Sequence, residues 1–176
     1  KFVLNAPYDI SGINYDDAVS YDLLQEEIYS NLDMSSLFLD LDEFLDFTSA
    51  INSISFKPDG TKVYVTIQNN FGDQSSVIQY NLSTPWDLST ASAEKIINAQ
   101  NVNSFPFRLT HLEWKPDGTR FWIVTYGAIA EYDLTSAWEI DSAFYTNNIF
   151  YNQSTKSIRW FDNGNKFLLT NRYKLD

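Results

Sequence analysis

The chain has 176 residues and a formal net charge of −11, with 23 acidic residues against 12 lysines and arginines. That balance disfavours nucleic-acid binding, because contacts to phosphate need lysine and arginine. The sequence contains no cysteine, which excludes disulfides, zinc–thiolate sites and thiol nucleophiles. It also contains no run of about 20 apolar residues, so we expect no membrane insertion.

One six-residue motif recurs along the chain. Residues 56–61 read Phe-Lys-Pro-Asp-Gly-Thr, residues 114–119 read Trp-Lys-Pro-Asp-Gly-Thr, and residues 160–165 read Trp-Phe-Asp-Asn-Gly-Asn. Proline presets φ, aspartate bonds its own backbone and glycine accepts a positive φ, so the motif predicts a tight turn between strands. A repeat of roughly 50 residues in a strand-rich chain is typical of propeller blades.

The predicted strands follow this repeat in chain order. In the first full copy, strands are predicted at 51–57, 62–68, 76–82 and 94–99. These runs either alternate apolar and polar residues or are rich in β-branched and aromatic residues. The second copy predicts strands at 112–114, 120–124, 128–134 and 144–151. A third copy predicts strands at 157–160 and 166–169. We expect the strands nearest to a propeller axis to be 53–56, 111–114 and 157–160.

Both ends of the sequence carry the same pattern. Residues 1–4 resemble the second strands at 62–65 and 166–169. The whole chain is therefore interpreted as one β-propeller segment, 1–176, with units at about 1–61, 62–119 and 120–165 and one more strand at 166–176. Three blades cannot close a ring, since propellers have about 4–8. We expect further blades of the same chain, or symmetry copies, to complete it.

These motifs resemble a β-propeller repeat of bacteriophage and marine bacterial proteins. Its copies read approximately Phe-Lys-Pro-Asp-Gly-Thr-Lys, an apolar strand, then Tyr-Asp-Leu-Ser-Thr-Pro-Trp-Asp-Leu-Ser-Thr-Ala. Residues 56–62 and 80–91 match closely, residues 114–120 and 132–138 nearly as well, and residues 24–50 depart from it. The resemblance implies an all-β propeller of four-stranded antiparallel blades. It also implies a virion (tail, fibre or capsid decoration) or an extracellular, cell-surface setting.

The candidate ligand-binding residues are two tryptophans and two variable loops. Trp86 and Trp138 occupy equivalent turns, where an indole can stack on a sugar ring. Their repetition favours the alternative, a packing role. The two loops differ between copies, and loops on a rigid scaffold often carry recognition, although they can also vary because nothing constrains them. The loop candidates are Asn70, Phe71, Phe105 and Arg108.

Other polar and aromatic features have structural interpretations. The acidic run 33–46 offers oxygen ligands for calcium but lacks a glycine turn, so an outer strand followed by a solvated loop is favoured. His111, the single histidine, is interpreted as a partly buried residue beside a strand rather than as a catalytic group. The aromatic residues Phe56, Trp114 and Trp160 are predicted to lie in the core.

The sequence offers no recognisable catalytic set. It has no Gly-x-Ser-x-Gly motif, no glycine-rich phosphate loop and no matched pair of acids in a repeated frame. We therefore expect no catalytic residues, no metal and no cofactor. The predicted function is a non-enzymatic structural or binding module, with other virion or surface proteins and host glycan as partners. The alternative is a glycan-degrading enzyme whose acids converge from other blades.

Overall fold

The computed structural model describes residues 50–68, 75–99, 109–150 and 155–171, which form ten strands and three short 3₁₀ turns. The first sheet contains β1 (Ala50–Phe56), β2 (Lys62–Gln68), β3 (Ser75–Leu82) and β4 (Ala91–Asn98). The second contains β5 (Leu109–Trp114), β6 (Arg120–Thr125), β7 (Ala128–Leu134) and β8 (Ala143–Phe150). The third contains β9 (Thr155–Phe161) and β10 (Lys166–Asn171).

Strand order confirms the expected all-β fold with four-stranded antiparallel sheets. The first two sheets run in the orders β1-β2-β3-β4 and β5-β6-β7-β8, and every described pairing is antiparallel. In the third, β9 pairs with β10. Among the described residues no helix is long and apolar enough to cross a membrane.

The Pro-Asp-Gly turns form as their chemistry predicts. Gly60 and Gly118 have φ values of 74° and 73°, and the backbone N–H of Thr61 donates to Asp59 Oδ1 at 3.0 Å. The Lys57 ammonium lies 2.8 Å from the Asp59 carboxylate. This cation and the two hydrogen bonds from Thr61 hold the pKa of Asp59 well below its usual range. The aspartate therefore acts as a turn former in its ionised state.

A second turn in each complete sheet closes onto the first. The backbone N–H of Trp86 donates to the Gly60 carbonyl at 2.9 Å, and Trp138 repeats this bond to Gly118 at 3.0 Å. Both tryptophans have a left-handed backbone, with φ values of 67° and 66°. Each indole lies directly over its glycine, leaving no room for a side chain there. The repeated glycine thus permits both the turn and the close approach of the tryptophan.

Alanine substitutions at Gly118 and Gly164 separate these two demands. Both glycines have positive φ, 73° and 84°, so both substitutions strain the backbone. A Cβ at Gly118 would also lie 2.2 Å from the Trp138 ring, whereas nothing lies within 4 Å at Gly164 in the described part of the chain. We expect Gly118→Ala to lower the free energy of unfolding by about 2 kcal/mol and Gly164→Ala by about 1 kcal/mol. Urea unfolding measures both, and equal losses would contradict the tryptophan contact.

Several strand boundaries differ from the sequence prediction by one to three residues, the starts of β4, β5 and β8 among them. β4 begins at Ala91 rather than at 94, because a 3₁₀ turn at Leu88–Thr90 ends directly before the strand. The side chain of Asp87 caps that turn by accepting from the Ser89 N–H at 3.1 Å. β5 begins at Leu109 rather than at 112, with a register shift between Leu109 and His111 that the alternation pattern does not reveal. β8 begins at Ala143, one residue early.

The sheets pack face to face along the chain. β1 contacts β5, and β5 in turn contacts β9, so the first strand of each sheet lies against the first strand of the next. Tyr64 and Val77 of the first sheet share a buried cluster with Leu112 and Phe121 of the second. Val124 of the second sheet packs with Ile158 and Leu169 of the third. Because strands β2 and β3 are buried along nearly their whole length, both faces of the first sheet are covered.

Candidate binding site

An open cleft of about 600 Å³ lies between the turn ends of the second and third sheets. We call it the turn-end cleft. It is lined by Trp114, Lys115, Pro116, Asp117, Arg120, Trp122, Trp160, Phe161, Asn163 and Gly164. Its lining therefore combines a tryptophan floor, two cationic side chains and a glycine turn.

The floor of the cleft is aromatic. The Trp122 and Trp160 rings lie 4.6 Å apart between centroids, and Phe167 meets Trp160 edge-on at 5.0 Å. The indole N–H of Trp160 is buried and has no hydrogen-bond partner among the described residues. Tryptophan faces bind flat apolar surfaces, including other aromatic rings and sugar faces. The floor thus offers a stacking surface.

The charged wall of the cleft is held in place by internal ion pairs. Arg120 donates from Nη2 to Asp133 Oδ2 at 3.0 Å and lies 3.1 Å from the Glu131 carboxylate. Its hydrogen bonds to Asp133 raise the pKa of the guanidinium above its ordinary value. Lys115 lies 2.7 Å from the Asp117 carboxylate, whose pKa is held well below the usual range chiefly by the lysine. These cations are largely neutralised, so the cleft is not an anion site.

The corresponding space between the first and second sheets is filled. Trp138 lies there, with ring centroids 4.9 Å from Trp114 and 6.3 Å from Tyr64. The Tyr64 hydroxyl donates to the Trp138 carbonyl at 2.7 Å. Burial, assisted by the charge of Glu139, raises the pKa of Tyr64 well above its usual range, so the phenol stays protonated as a donor. The two inter-sheet spaces are equivalent in the repeat but differ in occupancy.

A polar network ties the first sheet to the second. Gln79 is completely buried, and its amide nitrogen donates to Glu94 at 2.6 Å and to Glu139 at 3.0 Å. Its carbonyl oxygen accepts from the buried backbone N–H of Ile140 at 3.1 Å. Lys95 adds an ion pair to Glu139 at 2.6 Å. Because every polar group of the glutamine has a partner, the network holds the sheets in one register.

The stability of this network should depend on pH in the acidic range. Burial alone would raise the pKa of Glu139, but hydrogen bonds from Lys95, Gln79 and Lys62 outweigh it and lower the pKa from 4.5 to about 2. A depressed folded-state pKa stabilises the fold above the unfolded value, and that contribution disappears as the pH falls through the folded value. We expect the free energy of unfolding to fall more steeply between pH 4.5 and 2 in the parent protein than in Glu139→Gln. Parallel curves from urea unfolding would contradict this.

A second polar cluster lies on the adjoining first strands β5 and β9. Glu113 accepts from Arg159 Nη1 at 3.2 Å, and His111 Nε2 lies 3.6 Å from its other oxygen. The Glu113 side chain is only 12% exposed, whereas that of Arg159 is 79% exposed. A nearly buried acid beside an imidazole is an arrangement found among general acids and bases. We call these three residues the inner-strand cluster.

The structure places only two of the six predicted site residues. Trp86 is 51% exposed and packs on Phe56 at 5.3 Å, while Trp138 is half-buried in the second sheet. They belong to separate sheets, and both make the packing contacts that their repetition favoured. Four candidates lie outside the described residues, as does the acidic run: Asn70, Phe71, Phe105, Arg108 and 33–46.

The predicted core aromatics and His111 occupy the expected positions. Trp114 is buried, and Phe56 and Trp160 are half-buried against neighbouring rings. His111 pairs across the sheet with Val124, the position at which Ser53 pairs with Thr66 in the first sheet. His111 is therefore a partly buried strand residue, as the equivalent positions in the repeat predicted.

Sequence reasoning missed both the turn-end cleft and the inner-strand cluster. The cleft forms where Trp122 of the second sheet meets Trp160 of the third, and no local pattern in the sequence brings these two rings together. The signal for the cluster was weak. Glu113 and Arg159 occupy a column that holds serine, Ser55, in the first sheet, which shows only that the column tolerates charge.

Comparison with known proteins identifies the fold but no family. No protein-family model matches the chain, and no curated protein sequence matches it. Among solved structures, the chain is similar to a crystal structure described as a putative 6-phosphogluconolactonase from Bacteroides fragilis, with 16% identity and a TM-score of 0.50. The alignment covers 68% of this chain and 31% of that one. At this identity the likeness shows a shared all-β arrangement of antiparallel sheets.

That comparison corrects one prediction. We predicted a module without enzymatic activity because the sequence lacks a catalytic motif. The similar structure is described as an enzyme, so the absence of a motif in a chain with this fold does not support the prediction. A sequence motif reports only groups that are close together in the chain, and it does not report side chains such as Glu113 and Arg159 that meet through the packing of β5 on β9.

Proposed function

We propose that the sheets are consecutive blades of a β-propeller. The observation that carries this proposal is the succession of first-strand contacts, β1 on β5 and β5 on β9, combined with face-to-face packing of the sheets. In a propeller the first strand of each blade lines the axis, and both faces of each blade are covered by neighbours. The recurrence of the same turns in both complete sheets, at Gly60 and Gly118, supports the same arrangement.

The role that we propose for this propeller is a scaffold for contacts with other proteins, in a virion or on a cell surface. The resemblance of the Lys-Pro-Asp-Gly-Thr and Tyr-Asp-Leu motifs to phage and marine bacterial repeats supports this setting. The third sheet supports the contact role, because it exposes large apolar side chains, with Leu168 at 64% and Phe161 at 44%. Exposed apolar groups that lie together mark interaction surfaces.

Surface labelling tests this setting directly. An antibody raised against the 176-residue protein should label intact particles or intact cells of the source. Labelling that appears only after lysis would overturn the virion or cell-surface setting. An antibody against a cytoplasmic protein of the same source serves as the control for intactness.

Contact with a glycan is the second form of this binding role. Trp86 supports it, because its half-exposed indole provides a face that a sugar ring can cover. If this face binds glycan, Trp86→Ala should abolish binding on a glycan array and Trp86→Phe should retain part of it. Trp138→Phe is the matched control, since Trp138 occupies the same turn but packs between sheets. Equal binding by Trp86→Ala and the parent would exclude this surface.

An enzyme that hydrolyses a sugar derivative is a second candidate function. The inner-strand cluster favours it, because Glu113 is nearly buried between an imidazole and a guanidinium. The lactonase described for the similar structure suggests 6-phosphogluconolactone as one substrate to assay, beside host polysaccharide. If Glu113 moves a proton in catalysis, Glu113→Gln should lower kcat by about 10²-fold. Asp141→Asn, an exposed acid on the turn after Trp138, is the control, and activity that both variants retain would exclude the cluster.

A further inference from the structure

The third sheet lacks, among the described residues, two elements that the first two sheets share. β2 pairs with β3 and β6 with β7, but no described strand pairs with the corresponding edge of β10. Trp86 covers Gly60 and Trp138 covers Gly118, whereas nothing described lies within 4 Å of a Cβ built on Gly164. Yet Gly164 has the same left-handed backbone as the other two.

The side chains of β10 are exposed where their counterparts are buried. Phe167 aligns with Val63 and Phe121, which are completely buried, yet it is 39% exposed. In the second sheet, the partner that buries this position is Tyr132, whose ring stacks on Phe121 at 4.9 Å. The edge of β10 that no described strand pairs with therefore presents an aromatic side chain that a tyrosine on a pairing strand would cover.

The charged residue at the start of β10, Lys166, also differs in its contacts from its counterpart in the second sheet. Lys166 aligns with Arg120, which pairs with Asp133 on the neighbouring strand through two hydrogen bonds. Lys166 instead reaches Asp162 within its own turn, at 3.1 Å, and its side chain is 64% exposed. An aspartate following the tyrosine of a pairing strand would meet this lysine. The turn-end cleft then leaves, above Gly164 and beside Trp160, the space that the next tryptophan would fill.

We propose that β10 and the turn-end cleft form a docking site for an extended segment with the chemistry Tyr-Asp-Leu followed by a turn tryptophan. The segment pairs antiparallel with β10, its tyrosine covers Phe167 and its aspartate pairs with Lys166. Its tryptophan then enters the cleft over Gly164 and Trp160. The occupant is the third-strand and turn portion of a further repeat unit. The proposal specifies the partner of the proposed scaffold role and rests on it, although its test is independent of a virion or surface location.

A peptide with the sequence of residues 128–143 of this chain is the probe, because it contains one complete copy of the segment. Labelled peptide titrated into the 176-residue protein should give saturable binding by fluorescence anisotropy. Removing its tryptophan (Trp138→Ala in the peptide) should weaken binding by about 30-fold, the loss typical of a central aromatic anchor. Hydrogen exchange should show new protection of the β10 amides, since strand addition hydrogen-bonds that edge.

Charge reversal distinguishes this pairing from non-specific association. Lys166→Glu in the protein should weaken binding roughly fivefold, and a peptide with Asp133→Lys should restore it. Phe144→Ser, on the outer strand β8, is the matched control and should leave binding unchanged. Failure of charge reversal to weaken binding, failure of restoration, or protection confined to other strands would overturn the proposal. So would a self-associated state of the protein that persists at saturating peptide.

Discussion

Trp138→Ala should lower the free energy of unfolding by about 3 kcal/mol, the cost expected for removing a large packed aromatic side chain. The indole packs against both Trp114 and Tyr64, so the substitution removes packing where the first two sheets meet. Trp86→Ala at the equivalent turn should cost about 1 kcal/mol, because half of that side chain is exposed in the folded state. Urea unfolding of both variants gives the comparison.

The difference between the two tryptophans is the informative quantity. Both have the same left-handed backbone and the same hydrogen bond to a turn glycine, so loss of a local turn contact would affect them equally. Both indoles also pack on the aromatic residue that ends the first strand of their own sheet, so the contact that distinguishes Trp138 among the described residues is the one with Tyr64 of the first sheet. Equal losses of unfolding free energy in the two variants would show that both tryptophans act within their own turns. They would contradict a stabilising contact of Trp138 between the first two sheets.

Gln79→Leu should also cost about 3 kcal/mol, because it removes one donor from each of two carboxylates and leaves a buried N–H without a partner. Those groups are Glu94, Glu139 and the backbone N–H of Ile140. Leucine has a similar volume, so the loss measures the hydrogen bonds rather than a cavity. Ser83→Ala, at an exposed bend after β3, is the control and should change stability by less than about 0.5 kcal/mol. A loss below 1 kcal/mol for Gln79→Leu would contradict the network as a tie between sheets.

The sequence predicts most of the fold because its turns are locally encoded. Proline, aspartate and glycine at 58–60 and 116–118 determine a turn wherever they occur together, and the flanking apolar runs can then only pair as hairpins. The strand starts at Ala91 and Leu109 were missed for a different reason. They follow from a 3₁₀ turn and a register shift, and neither alters the apolar pattern on which the prediction depends.

The sites are less predictable because they lie between sheets. Trp86 and Trp138 are the same residue in the same motif, and only the neighbouring sheet makes one half-exposed and the other an inter-sheet contact. Glu113 and Arg159 are brought together only when β5 packs on β9. A repeat pattern predicts which positions are equivalent, but not what occupies the space beside each copy.

The central claim is that these sheets are blades arranged around one axis, with β1, β5 and β9 lining it. Electron cryo-microscopy of the protein isolated from its source tests it most directly. The account predicts a closed ring of four-stranded blades in which the third sheet has gained a strand beside β10 and a tryptophan over Gly164. An open stack of sheets without a common axis, or a third sheet that keeps a bare β10 edge in the intact assembly, would contradict it.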